Sequence, residues 1–223
     1  MAFAGFPTEG LTFLEGLEAD NSKAYWTQHK AVYDSALKGP MEALLAEVDA
    51  RFRPLRMFRP NRDVRFSKDK SPYKTAVAAA GEREGGTVYY VSLASSGLTI
   101  GCGAYMLASD QLARFREAIA ADVSGSSFEA LMASNGRAKG LQITGGGEPP
   151  LKTVPRGFDK DHPRIEYLRW KGAIAFQEFG DPAWLHTAKA KQKIEQGWLA
   201  CDPLNEWLDR HVGPSELPPD ERR

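Results

Sequence analysis

Residues 74–106 read KTAVAAAGEREGGTVYYVSLASSGLTIGCGAYM, and their pattern indicates the fold class of the chain. Runs of alanine, β-branched and aromatic residues alternate there with short clusters of glycine and serine. Such runs are typical of β-strands, and the glycine-containing clusters are typical of the turns that join antiparallel strands. We therefore predict an antiparallel meander with strands over 74–81, 87–94 and 98–106.

The middle run indicates how the sheet is covered. Val88 and Tyr90 would point to one face and Tyr89 and Val91 to the other, because side chains alternate along a strand. Both faces are largely apolar, so both should be covered by other parts of the chain. A further strand is expected over 173–179, and the sheet as a whole should be built from about residues 58–106 together with that run.

Most of the remaining chain shows helical periodicity. Apolar residues recur there at three- and four-residue steps, which places them on one face of a helix. Asp20 or Asn21 is expected to cap the second helix, which Gly39-Pro40 should break or kink. The predicted helices cover 11–17, 21–48, 110–123, 126–134, 165–170, 182–196 and 202–212.

Together these elements predict a single α+β domain over residues 1–212. In this fold class a mainly antiparallel sheet is flanked by N-terminal and C-terminal helices. The proline- and charge-rich end of the chain, residues 213–223, predicts a disordered tail. No feature of the sequence fixes the oligomeric state.

Composition excludes several classes of protein. The 223 residues carry a formal net charge of zero, which argues against a general nucleic-acid binder. No apolar run reaches the length of a membrane-spanning helix, and the first residues do not resemble a secretory signal, so a cytoplasmic protein without a membrane partner is expected. Cys102 and Cys201 have no CxxC or Cys/His spacing, so neither a disulfide framework nor a metal site is predicted. No cofactor is expected, because Gly101-Cys102-Gly103 lacks the rest of a dinucleotide fingerprint.

The densest charge lies in residues 59–74, RPNRDVRFSKDKSPYK, which we call the basic loop. It contains six basic and two acidic side chains, although the whole chain is neutral. Alternation predicts a strand over 62–67 that runs into a Ser-Pro turn. Because guanidinium and ammonium groups bind phosphates and carboxylates, we predict a site for a small anionic or phosphorylated ligand. Its expected ligand-binding residues are Arg62, Arg65, Lys68, Lys70 and Lys74.

Other interpretations of the same loop stay open. The arginines could instead pair with Asp63 and Asp69, or the lysines could simply be solvated. Phe66 and Tyr73 interleave with the basic residues, as a nucleic-acid or protein interaction module would require. The two aspartates would repel nucleic acid, so we do not expect it as a partner.

A hydrolase-like enzyme is the alternative from another class. Asp63, Asp69 and His162 are the candidate acid–base residues, and Asp161 adjoins His162. Nothing in the chain is spaced like HExxH, GxSxG or a phosphate-binding loop. Asp161-His162-Pro163 also fits the start of a helix, where a polar cap precedes proline.

The basic loop also carries a family resemblance. DVRFSKDKSPYKT at residues 63–75 resembles the signature of the DUF2461 domain family, and the resemblance extends from about residue 5 to residue 210. Its other matching motifs are Phe6-Pro7, Phe13-Leu14, the run 21–26, His29-Lys30, Tyr33, the strand 101–105, the loop 155–158 and Asp161-His162-Pro163. Two positions depart conservatively from the family pattern, Asp20 before Asn21 and Tyr25 before Trp26. The resemblance implies a conserved domain without an activity that could be assigned to particular residues.

Overall fold

The computed structural model describes residues 2–65, 68–138, 140–218 and 221. Its helices are α1 (Thr8–Ala19), α2 (Lys23–Val32), α3 (Gly39–Glu47), α4 (Ser109–Ala120), α5 (Asp122–Ala138), α6 (Ile165–Leu168) and α7 (Lys189–His211). Its strands are β1 (Arg56–Met57), β2 (Ala76–Glu82), β3 (Val88–Ala94), β4 (Gly97–Ala104), β5 (Gln142–Thr144) and β6 (Ala173–Gly180). A π-helical turn over Tyr33–Lys38 joins α2 to α3, and 3-10 turns lie at Ala50–Phe52 and Ala183–His186.

The strands confirm the α+β class. Within the described residues they form a six-stranded antiparallel sheet in the order β1-β2-β3-β4-β6-β5. The predicted meander is present as β2, β3 and β4, and the predicted return strand is β6. Strand β5 was not predicted. It pairs antiparallel with β6, with Ile143 opposite Ala175, and three residues are too few to produce a recognisable alternation.

The prediction of a strand over residues 62–67 is wrong for residues 62–65, which are the ones that the structure describes. Residues 62–65 lie in a loop, and Phe66 and Ser67 lie outside the described residues. Regular pairing at this edge of the sheet is confined to β1, where Arg56 lies opposite Ala80. An isolated bridge then joins Asn61 to Tyr73. The Arg62 N–H donates to the Pro72 carbonyl at 2.9 Å as part of this bridge, and among the described residues the pairing does not continue past Arg62, so alternation of charged and apolar side chains alone does not make a strand.

The chain divides into two compact units. The first comprises residues 1–81, 90–100 and 178–197. Helix α1 buries Leu14 and Leu17, and the π-helical turn and α3 add Leu37, Met41 and Leu44 to the same core. These side chains follow the three- and four-residue steps of the sequence, so the periodicity correctly identified the buried face. A single domain over residues 1–212 stays a prediction.

The second unit comprises residues 82–89, 101–177 and 198–223. Its aromatic centre is Phe128, whose ring lies 6.0 Å from that of Phe115 and 4.7 Å from that of Trp207. The indole N–H of Trp207 donates to the carbonyl of Ser124 at 3.1 Å, so its one polar group is satisfied. Large aromatic side chains of this kind supply much of the apolar surface that a domain buries.

Helix α7 is continuous, whereas the sequence predicted two helices separated before Asp202. Pro203 lies inside it, although proline lacks the N–H that an interior position normally donates. The buried side chains Ile194, Trp198, Cys201 and Leu208 continue at three-, four- and seven-residue intervals across the proline. One uninterrupted apolar face therefore outweighs the lost hydrogen bond.

Residues 213–217, assigned by the sequence to a disordered tail, are hydrogen-bonded to α4. Gln111 donates to the carbonyl of Gly213 at 2.8 Å, and the Asp110 carboxylate accepts from the Ser215 hydroxyl and the Glu216 N–H, each at 2.8 Å. Although desolvation opposes ionisation, these donors lower the pKa of Asp110 to about 2. Asp110 and Gln111 lie about a hundred positions before the tail, so the local composition of the tail could not indicate these hydrogen bonds.

Candidate functional site

The C-terminal end of the basic loop is held in place by Asn21 and Trp26 of the same unit. The side chain of Asn21 accepts from the N–H of Tyr73 at 3.0 Å and donates to its carbonyl at 3.1 Å. The ring of Tyr73 stacks on Trp26, with centroids 4.3 Å apart and planes 8° from parallel. Asn21, predicted as a helix cap, therefore positions the loop instead, and Ser22 caps α2.

Both arginines predicted to bind a ligand are paired with carboxylates of the loop. Arg62 donates to Asp69. Arg65 makes a two-point contact with Asp63, from Nε at 3.0 Å and from Nη2 at 2.7 Å. The salt-bridge interpretation that the sequence left open therefore describes these two side chains.

The two aspartates hold the loop as hydrogen-bond acceptors. Hydrogen bonds from Arg65 lower the pKa of Asp63. Hydrogen bonds from the hydroxyl and N–H of Ser71, with the charge of Arg62, lower the pKa of Asp69. Both carboxylates are therefore ionised at neutral pH and cannot supply a proton, which removes one role expected of them in an acid–base mechanism.

The three predicted lysines have different surroundings. Lys68 is exposed, and the ammonium of Lys70 donates to the carbonyl of Val64 at 2.9 Å. Lys74 is half-buried, with its ammonium 5.1 Å from the centroid of the Phe58 ring. Desolvation lowers the pKa of Lys74, and the nearby charges of Arg59 and Arg62 lower it further.

Arg59, Arg62 and Lys74 therefore form a cluster of positive charge, which we call the cation cluster. Of these three, only Arg62 has an ion pair within the part of the chain that the structure describes. Arg59 was not among the predicted ligand-binding residues. No local pattern singles out Arg59, because it is a backbone contact between distant positions, the Lys74 N–H donating to the Pro60 carbonyl at 2.8 Å, that places residues 59–60 beside residue 74.

The residues around His162 form a turn that leads into α6. The Asp161 N–H donates to the Asp159 carboxylate at 2.9 Å, and Nδ1 of His162 accepts from the Arg164 N–H at 3.0 Å. The segment leads into a helix, as the alternative interpretation expected, but the N-cap is Arg164, it makes no side-chain cap hydrogen bond, and Pro163 precedes the helix. His162 lies in the second unit, whereas Asp63 and Asp69 lie in the first. Among the described residues, no three His, Cys, Asp or Glu side chains are grouped so that they could hold a metal ion.

The family comparison agrees with the motif in the basic loop. A family model described as a conserved hypothetical protein, DUF2461, matches residues 9–207. The chain belongs to the DUF2461 family. No curated protein and no solved structure matches it. The DUF2461 match includes the cation cluster, its anchor at Asn21 and Trp26, and the turn at His162. None of the helices in the described residues has both the length and the apolar character needed to cross a membrane.

Proposed function

We propose that this DUF2461 protein binds a small anion, such as a phosphate or carboxylate group of a metabolite, at the cation cluster. The observation that carries the proposal is the environment of Lys74. Lys74 is half-buried, the positive charges of Arg59 and Arg62 act on its ammonium, and neither Lys74 nor Arg59 has an ion pair within the described residues.

The charges of the cluster favour an anion there. Partial burial and the charges of Arg59 and Arg62 both disfavour the charged form of Lys74, although Asp69 pairs with Arg62 and the charge of Arg59 also acts on Asp63. A bound anion would replace the repulsion with attraction, and Arg62 could share its planar guanidinium between the ligand and Asp69. In this arrangement the Arg65–Asp63 pair and the Lys70 contact shape the loop, and Lys68 adds attraction at long range.

The alternatives are supported less well. A hydrolase-like mechanism through Asp63, Asp69 or His162 would need these groups free for proton transfer, yet each already accepts a hydrogen bond that shapes its own turn. A nucleic-acid or protein interaction through the loop predicts binding that weakens steeply with salt and depends on Arg65 and Lys68 as much as on Lys74. Dependence on the cluster alone would favour the small anion.

Replacing either unpaired cation is expected to remove the response to phosphate. Inorganic phosphate should raise the melting temperature of the native protein, because a ligand that binds only the folded state stabilises it. Lys74→Gln and Arg59→Gln should abolish this rise at constant ionic strength. Lys160→Gln makes the same charge change at an exposed position in the second unit and should leave it intact. Equal phosphate responses in all four proteins would refute the proposal.

Anion binding should also weaken at alkaline pH. The folded-state pKa of Lys74 lies below its ordinary value of 10.5, so its charge disappears at a lower pH than in the unfolded chain. Phosphate affinity should therefore fall as the pH rises through that lowered pKa. Without ligand, the free energy of unfolding should rise between this lowered pKa and pH 10.5. Over that range Lys74 is still protonated in the unfolded chain but neutral in the folded protein, so a higher pH favours folding. Lys74→Gln should lose both effects in titrations followed by thermal unfolding; a wild-type profile in that variant would contradict the assignment.

A cytoplasmic location belongs to the same proposal. Cys102 and Cys201 are both buried free thiols. Unpaired buried cysteines are typical of proteins that function in a reducing compartment. Phosphorylated and carboxylated metabolites are abundant there, so the location and the proposed ligand class agree.

A further inference from the structure

A cleft lies in the first unit, between α1 and α2, with a volume of about 350 Å³. Helix α1 contributes Glu9, Thr12 and Phe13, and α2 contributes Tyr25, His29 and Val32. The three α2 residues follow one another at four- and three-residue steps, so they form one stripe along two helical turns. A volume of this size lies at the lower end of the range for small-molecule sites.

The aromatic wall of the cleft is fixed before any ligand binds. The Tyr25 hydroxyl donates to the carbonyl of Phe13 at 3.1 Å, which ties the two helices together. The ring of His29 stacks on that of Tyr25, with centroids 4.1 Å apart and planes 27° from parallel. Desolvation and the charge of Asp20 raise the pKa of Tyr25, so its hydroxyl keeps the proton it donates. A preformed wall lowers the entropy cost of binding.

The backbone sets the tautomer of His29. Its Nδ1 lies 2.9 Å from the carbonyl oxygen of Tyr25, and that oxygen can only accept. Nδ1 must therefore carry the proton in the neutral ring, which leaves the lone pair on Nε2. The helix thus presents a hydrogen-bond acceptor beside an aromatic surface.

Glu9 supplies charge to the cleft. Its side chain is exposed, and no ion pair involves it within the described residues. Glu9 is the one carboxylate among the lining residues, and none of them is a lysine or an arginine. The cleft therefore has a carboxylate, an aromatic and aliphatic wall, and a ring-nitrogen acceptor. A π-helical turn follows directly after Val32, and such turns are frequent at functional sites.

We propose that this cleft binds a small aromatic amine. The ammonium of the ligand pairs with Glu9, its ring packs against Tyr25, Phe13 and Val32, and a hydroxyl or N–H on the ring donates to Nε2 of His29. The ligand is opposite in charge to the one proposed for the cation cluster. The two proposals rest on different residues and can fail separately.

Tyramine is a suitable probe, because it has an ammonium, an aromatic ring and a phenol donor. We expect saturation-transfer NMR to detect its binding and chemical shifts of the His29 ring protons to follow its titration. The carboxylate 4-hydroxyphenylacetate has the same ring and should not bind. Phenethylamine lacks the phenol and should bind more weakly.

Matched variants separate the contacts. Glu9→Gln should raise the tyramine Kd by up to about five-fold, as expected for loss of an exposed ion pair worth at most about 1 kcal/mol. Glu15→Gln, an exposed change elsewhere on α1, should not alter it. His29→Phe keeps a ring beside Tyr25 but removes the acceptor, so it should weaken tyramine and leave phenethylamine unchanged. The proposal fails if tyramine does not bind at about 10 mM, a concentration that detects even very weak complexes. It also fails if 4-hydroxyphenylacetate binds equally well or if Glu9→Gln and Glu15→Gln behave alike.

Discussion

Arg164→Met is expected to lower the free energy of unfolding by about 1–3 kcal/mol, the usual cost of leaving buried acceptors without their donor. The Arg164 side chain is only 8% exposed, and its Nε donates to Glu129 at 3.0 Å. Nη1 donates to the carbonyls of Ile119 at 3.2 Å and Ala120 at 3.3 Å, at the C-terminal end of α4. Methionine has similar length but no donor, so these acceptors would lose their partner.

Urea unfolding of three variants would test this role. Arg156→Met changes an exposed arginine shortly before Arg164 in the chain and should alter the free energy by less than about 0.5 kcal/mol. Arg164→Lys keeps the charge but not the planar donor array, so its loss should lie between those of the other two variants. A loss below about 1 kcal/mol in Arg164→Met would contradict the assigned network.

This arginine also shows where sequence reasoning stops. Arginine is usually exposed, and nothing near residue 164 predicts burial. Its acceptors lie 35 to 45 positions earlier, at the junction of α4 and α5. Gly125 belongs to the same arrangement, because a Cβ there would lie 2.7 Å from the Arg164 guanidinium carbon. Periodicity predicted α4 and α5, but it could not predict that Arg164 would donate to the carbonyls between them.

The basic loop was predictable in its location and only partly in its contacts. Arg65 and Asp63 are two positions apart, so their pairing is local and the sequence could propose it. The Arg62–Asp69 pair spans seven positions and depends on how the loop turns. The role of Arg59 depends on the bridge between Asn61 and Tyr73, which is a tertiary feature. The local sequence therefore predicted a concentration of positive charge, but the bridge between Asn61 and Tyr73 determines which basic residues lie close together.

Tyr73→Ala should destabilise the protein and also abolish the phosphate response. Tyr73 is 8% exposed and stacks on Trp26, so removing its ring leaves a cavity that costs about 3 kcal/mol or more. The ring packs the C-terminal end of the basic loop against Trp26. Without it, Lys74 is no longer held beside Arg59 and Arg62, and the cluster loses the geometry that favours an anion.

Tyr73→Phe separates the ring from its hydroxyl. The phenylalanine ring can still stack on Trp26, and the Asn21 contacts involve only the backbone of residue 73. We expect Tyr73→Phe to change the free energy of unfolding by less than about 1 kcal/mol and to keep the full phosphate response. Measurements on Tyr73→Ala must use conditions in which it is folded, judged by its own urea curve. If folded Tyr73→Ala still responds to phosphate as the wild type does, the cluster does not depend on the ring, and the Asn21 hydrogen bonds together with the backbone bridge between Asn61 and Tyr73 are sufficient to hold the loop.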